Sequence, residues 1–311
     1  MTTRRRQRAP SDEAHTVRAL IDDAARRIAA SPAIDHWQPS LARYDAEELM
    51  AEVLGTAIDG DARRRAPLPR QLRRFRSMVR RRLAGEPIPR IIGKFPFRGL
   101  ELVVRDHVFV PRTSSELLAG EAVKALRRRK PPRVAVDVAT GAGPMALAMA
   151  NEVRTAEVWG VDISKDAVGL GRHNARRLEL TNVHFRVSDL LDQLPRRLRG
   201  TVDVITIHPP YVARKEVKTL PAEIREFEPR RSLTDDSADG LGLVRRLAEA
   251  SHQWLRPGGV VLVEVGTYLS RSAQSVLRQG GLTDVRWTRD SLGVTRVVSG
   301  RAPRGRHEPA Q

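Results

Sequence analysis

Four consecutive residues, His208-Pro209-Pro210-Tyr211, place an imidazole, two rigid imide rings and an aromatic face directly after the apolar run Val202 to Ile207. That run predicts a buried strand. Two prolines cannot continue a strand's hydrogen-bond ladder, so the chain must leave the sheet there in a stiff turn. Open α/β sheets bind ligands at the carboxyl ends of their strands. A proline turn offers carbonyl acceptors, and Tyr211 sets a flat ring beside them. Such a pairing suits a planar N–H group held still for attack on an electrophile. His208, Pro209, Pro210 and Tyr211 are therefore candidates for holding a substrate, with His208, Pro209 and Tyr211 as catalytic candidates. An ordinary strand-ending loop has the same composition, so these four residues need support from elsewhere in the chain.

Three acidic residues in succession supply it. Asp137 precedes the small-residue loop Ala139-Thr140-Gly141-Ala142-Gly143, where the backbone can pass close to a ligand and a helix N-terminus offers free N–H donors. From there Asp137 could grip an amino-acid ammonium or the loop beside it. Asp162 ends the run Trp159-Gly-Val-Asp and is placed to accept both hydroxyls of a ribose. It could instead cap the next helix, a task open to Ser164 as well. Asp189, in Val187-Ser-Asp-Leu190, is placed to accept an exocyclic adenine amine; alone it could be a loop residue. Together the three describe a site for an adenosyl group with a zwitterionic tail, as in S-adenosylmethionine. The stretch Gly141-Ala-Gly143-Pro-Met-Ala146 also fits a dinucleotide fingerprint. Against an NAD(P) enzyme stands the lack of any hydride-transfer constellation.

These residues need a scaffold, and the patterning describes one. From 133 onward apolar strands alternate with helical stretches, which predicts a parallel sheet covered on both faces. Strands are expected at 134–138, 158–161, 183–187, 202–207 and 260–265, with two more near Val285 and at 294–298. Helices are expected at 144–151, 165–180 and 239–255. Ser114 or Ser115 can cap a further helix running to about 129. Residues 211–238 form a long segment without a core element, as lids and binding loops do. Upstream, apolar residues at helical spacing predict helices at 13–30, 45–54 and 71–83, with Asp45 at a helix start. The β-type runs between Gly85 and Arg112 predict a hairpin. The expected organisation is a basic tail at 1–12, a helical domain at 13–84, a hairpin linker at 85–112, an α/β domain at 113–299 and a tail at 300–311.

Composition narrows the class. Apolar residues make up 41% of the 311 residues, enough for a core, and the absence of cysteine excludes disulfides and thiolate metal sites. No metal is expected. No apolar run spans a bilayer and the first residues lack a signal sequence, so a cytoplasmic protein without membrane contact is expected. The formal charge of +18 could serve a nucleic acid. Arginine dominates it, however, as GC-rich coding sequences produce, and aromatics are only 4%, few for base stacking. Nucleic-acid binding is possible but not favoured.

The chain resembles the HemK-like family of N5-glutamine methyltransferases that modify peptide chain release factors. The likeness runs from Ala42-Arg-Tyr-Asp-Ala-Glu-Glu-Leu through Gly85-Glu-Pro-Ile-Pro-Arg-Ile-Ile-Gly93 and Val110-Pro-Arg-Thr-Ser-Ser-Glu116. It continues through the glycine loop, Asp162, Asp189, Glu226-Phe-Glu-Pro229, Asp239-Gly-Leu241 and Arg256 to Glu264. It implies a seven-stranded Rossmann-like class I S-adenosylmethionine-dependent methyltransferase domain, with a small helical recognition domain and a hairpin linker. Implied cofactor contacts are Asp137, Ala139 to Gly143, Asp162, Ile163, Asp189, Leu190 and His208. Implied substrate contacts are His208, Pro209, Pro210, Tyr211, Arg112 and Glu228. A monomer acting on a release factor is the implied arrangement. The sequence departs from the family at His208, where the family has asparagine; at Ala139, where glycine is usual; and at Asp235-Asp236-Ser237, in place of a glycine pair. Two other readings follow from the departures: methylation of a small molecule or nucleic-acid base with His208 as general base, or a non-catalytic module that binds the cofactor or RNA.

Overall fold

A computed structural model describes residues 16–34 and 39–304, in two compact units. The expected tail at 1–12 and residues 305–311 of the expected tail at 300–311 lie outside the described residues.

The first unit comprises residues up to Gly93 together with Leu220–Phe227. Its helices are α1 (Val17–Ala29), α2 (Pro39–Leu54), α3 (Gly60–Arg64), α4 (Pro69–Leu83) and α5 (Ile88–Ile92). Thr16 opens α1 by accepting the Ala19 N–H at 3.3 Å, as an N-cap hydroxyl should. Val17, Ile21, Ala24 and Ile28 recur at helical spacing and pack with Leu49 and Met50 of α2 and Phe75 and Met78 of α4. Because α2 begins at Pro39, Asp45 lies in its middle and not at its start. There it receives the buried Arg82 guanidinium at 2.7 Å, and Arg82 also reaches Glu223 at 2.9 Å. The Ile91-Ile92 run is helical, not extended. Pro89 sits in the first turn of α5, where its fixed φ suits a helix. Gly93, at φ 84°, then ends it.

The second unit holds the remaining residues, Lys94–Thr219 and those from Glu228 onward. A two-stranded hairpin, β1 (Lys94–Phe97) and β2 (Leu100–Val103), falls within this unit. Val108 and Val110 are buried, but the run 108–110 forms no strand, since Pro111 follows and His107 turns the chain at φ 65°. Next come α6 (Ser115–Arg127), β3 (Arg133–Val138), α7 (Pro144–Glu152), β4 (Ala156–Asp162), α8 (Lys165–Arg177), β5 (Val183–Val187) and β6 (Val202–Ile207). After the long segment, α9 (Gly242–Ser251), β7 (Leu255–Glu264), α10 (Ser270–Gln279), β8 (Thr283–Arg289) and β9 (Thr295–Arg301) complete the sheet. The last strand continues to Arg301, into the expected tail.

The seven strands lie in the order β5-β4-β3-β6-β7-β9-β8, with β9 antiparallel to both its neighbours. Alternate residues of β3 feed the two faces. Ala135 packs in the cluster with α6, α7 and α8, whereas Val134, Val136 and Val138 pack in the cluster with α9 and α10. Strand order reverses between β3 and β6, and such a switch point leaves a crevice above the strand ends. The long segment contains a 3-10 turn, Arg214–Thr219, and two short helices, Ala222–Arg225 and Arg230–Leu233. Among the described residues no helix is long and apolar enough to cross a membrane.

Candidate active site

At the switch point Asp137 of β3 sits in register with Thr206 of β6. Its carboxylate is fully buried and accepts the Thr140 hydroxyl at 2.6 Å and the Thr206 hydroxyl at 2.7 Å. Burial pushes its pKa up to about 7, with the two hydroxyl bonds opposing. Asp137 therefore lies beneath the glycine loop and holds it, and it does not line the cavity described below. Asp162, at the end of β4, holds the same loop from the side. One of its oxygens accepts the Gly141 N–H at 2.9 Å and the other the Ser164 N–H at 2.8 Å. Ser164, and not Asp162, caps α8 through the Ala167 N–H. Gly143 ends the loop at φ 88°, and a Cβ there would come within 2.8 Å of the Phe185 ring. Ala139 takes φ 52°, a left-handed conformation that costs an L-residue about 1–2 kcal/mol. A glycine would adopt it freely.

Above this loop lies a cavity of about 560 Å³, within the usual range for small-molecule sites. Ala139 to Ala142 form its floor; Asp162, Ile163, Asp189 and Leu190 form one side; Arg112, His208 and Pro210 form the other. Ile163 presents an apolar face that is 60% exposed. Asp189 is paired with Arg246 of α9 at 2.8 Å, which fixes the carboxylate at the cavity wall. Residues Pro229 to Ser232 and Thr234 to Asp236 from the long segment close the rim. These groups fit S-adenosylmethionine. The loop at the start of α7 can approach a carboxylate tail, Asp162 can receive hydroxyl donors, and Ile163 and Leu190 can flank a flat base.

The turn after β6 is braced from several directions. His208 is half-buried; its Nδ1 lies 3.2 Å from the Ser115 hydroxyl and 3.5 Å from Glu264 Oε2. Ser114, expected as a helix cap, makes no cap bond and donates its hydroxyl to Glu264 Oε1 at 2.9 Å. The His208 ring stacks on Tyr211, with centroids 5.7 Å apart and planes 19° apart, and meets the Phe109 ring edge-on. Burial lowers the His208 pKa below the usual imidazole range; Glu264 opposes this and Arg112 adds to it. Burial, reinforced by Glu264, raises that of the Tyr211 phenol. Beyond the prolines, the Pro210 carbonyl accepts the Asp235 N–H at 3.2 Å, and Tyr211 bridges to Thr234. Gly240 must be glycine, because a Cβ would stand 2.0 Å from the Tyr211 carbonyl oxygen. Arg112 lies over the Phe109 ring and pairs with the buried Glu228 at 2.7 Å. Glu228 also accepts the Val110 N–H, so it braces this segment without lining the cavity.

The structure thus gathers eleven of the sixteen sequence candidates around one cavity: Arg112, Ala139, Thr140, Gly141, Ala142, Asp162, Ile163, Asp189, Leu190, His208 and Pro210. Asp137, Gly143, Pro209, Tyr211 and Glu228 are not among its lining residues. Glu264, Phe109 and Arg246 were not singled out from sequence, and Ser115 only as a possible helix cap. Glu264 ends an apolar strand just as Asp162 does, and that sign was there to be read.

A family model described as methyltransferase domain matches residues 131–277, and one described as PrmC N-terminal domain matches residues 38–93. The chain is 35% identical over 269 residues to the release factor glutamine methyltransferase of Bordetella pertussis, covering 84% of this chain and 96% of that protein. It is 33% identical to the release factor glutamine methyltransferase of Geobacter sulfurreducens, covering 93% and 98%, and 39% identical to that of Streptomyces coelicolor, covering 79% and 83%. With a crevice built on acidic strand ends, a helical first unit and relatives matched along nearly their whole length, this chain belongs to the release factor glutamine methyltransferase family.

Proposed function

We propose that this protein transfers a methyl group from S-adenosylmethionine to the side-chain amide nitrogen of a glutamine in a peptide chain release factor. The observation that carries the reading is the placement of His208 and the proline turn on the wall of the cavity whose floor is the loop held by Asp137 and Asp162. When bound, S-adenosylmethionine supplies the electrophilic methyl group. The residues of this chain bind and orient. Ala139 to Ala142, Asp162, Ile163, Asp189 and Leu190 hold the cofactor. Neutral His208 and the Pro209 carbonyl each accept one hydrogen bond from the primary amide, which fixes its nitrogen and its plane, and the amide proton that the methyl group replaces is released to water. Tyr211 packs behind the imidazole. Arg112, anchored by Glu228, contributes to the substrate wall. The rate advantage comes mainly from this positioning. The helical unit selects the protein substrate.

The test is incubation with methyl-labelled S-adenosylmethionine and a cell extract lacking the enzyme, followed by identification of the labelled species. A labelled release factor is expected. Label confined to a small molecule or to RNA would favour His208 as a general base and overturn the reading.

A further inference from the structure

His208 and Glu264 leave the sheet side by side. Strands β6 and β7 are parallel neighbours paired at Ile207 and Val263, so the next residue of each strand emerges at the same level. The result is a buried carboxylate whose Oε2 has no hydrogen-bond partner, 3.5 Å from an imidazole nitrogen. Glu264 Oε1 is already taken by the Ser114 hydroxyl.

An ionised carboxylate can only accept, whereas the Ser115 hydroxyl near the same nitrogen can donate or accept. If Nδ1 carried no hydrogen, its lone pair would face a carboxylate oxygen in a buried site, and that oxygen would stay unsatisfied. A hydrogen on Nδ1 removes the lone-pair repulsion and turns the positive N–H edge of the ring toward the carboxylate, 3.5 Å away. Ser115 adjusts by accepting. The second ring nitrogen, Nε2, then bears a lone pair, and the ring lines the cavity. The other groups around the imidazole are Phe109, Tyr211 and the Arg112 guanidinium. None of them can accept more strongly than a carboxylate.

The geometry points to Glu264 as a positioning residue that fixes the Nδ1–H tautomer of His208 and so makes Nε2 an acceptor for the N–H of the methyl acceptor. The inference rests on the reading of His208 as a substrate contact. The carboxylate turns an ambiguous ring into a fixed acceptor.

Nitrogen-15 NMR of the histidine side chains in the free, full-length protein, above the pH of His208 protonation, tests this without any turnover. The expected result is hydrogen on Nδ1 in the wild type. In Glu264→Gln, Ser114 keeps the amide oxygen at the Oε1 position and the amide N–H faces Nδ1, so the hydrogen should move to Nε2. kcat/KM should then fall on the order of 10- to 100-fold, by analogy with the loss of the outer hydrogen-bond partner of a metal-ligating histidine. S-adenosylmethionine affinity, read by calorimetry, should stay unchanged and serves as the folding control. In a His208→Asn background, which has no tautomer to set, Glu264→Gln should cost little more. Hydrogen on Nε2 in the wild type would overturn the inference even if Glu264→Gln did not fold. So would an equal loss in the His208→Asn background. Failure of release factor methylation with the Nδ1–H tautomer intact would overturn the substrate reading and leave the tautomer assignment standing.

Discussion

Asp162 Oδ2 accepts the backbone N–H of Gly141 at 2.9 Å, so the carboxylate facing the cavity also shapes the loop that forms the cavity floor. Replacing it should therefore act twice. Asp162→Ala should weaken S-adenosylmethionine binding by roughly 1.5–3 kcal/mol for each charge-assisted bond lost, or more than tenfold in Kd. Calorimetry on the purified variant measures this. Unchanged affinity would remove Asp162 from the site.

Asp137 carries a pH signature. Its carboxyl has a pKa near 3.8 in an unfolded chain and about 7 when folded. A raised carboxyl pKa means that the unfolded chain loses its proton first as pH rises. Stability is thus full below about 4, falls between about 4 and 7, and levels off above that. The gap sets an upper limit of roughly 4 kcal/mol. Asp137→Asn, which still offers an acceptor to the threonine hydroxyls, should lose less Tm than the wild type between about pH 4 and pH 7, the span of that transition. Parallel thermal melts in the two proteins would contradict the assignment.

His208 should impose an acid limb on the rate. It accepts a substrate hydrogen only while neutral, and burial holds its pKa below the ordinary imidazole value. Activity should fall with a single ionisation below about 6.5. His208→Asn should flatten that limb while keeping activity on a glutamine amide, because an amide does not titrate there. A pH–rate profile identical in the two proteins would reduce His208 to a spacer.

In the helical unit, Arg82 is buried between Asp45 and Glu223. Removing one member of a buried ionic group leaves the others uncompensated, at a cost of about 3–5 kcal/mol. Arg82→Ala should lower the denaturation midpoint accordingly, and proteolytic cleavage within 220–227 should become faster because Glu223 has lost its anchor. Cleavage at the wild-type rate would show that the segment is held by other contacts.

Much of this site was legible in the chain because strands at a switch point announce themselves twice, by an apolar run and by the polar residue that ends it. Asp162 and Asp189 could be placed on that basis, whereas the pairing of Asp137 with Thr206 is seen only in the structure. Less legible was what each carboxylate faces. Asp137 looked able to grip a ligand, but it is sealed under Thr140. Ser114 looked like a cap, yet Glu264 takes its hydroxyl. The Asp137–Thr206 and Ser114–Glu264 contacts join residues far apart in sequence, which no local pattern encodes. The Ile91-Ile92 run misled for a local reason: β-branched residues suggest a strand, but the prolines before them and Gly93 after them favour one helical turn.

Transfer of a methyl group to a glutamine amide is tested most directly by incubating the purified protein with S-adenosylmethionine and the purified release factor of its own organism, then mapping the product by tandem mass spectrometry. A single added methyl on one glutamine side-chain nitrogen, absent when the cofactor is omitted and lost when that glutamine is changed to glutamate, is the predicted result. An unmodified release factor alongside a methylated small molecule or RNA would contradict the account.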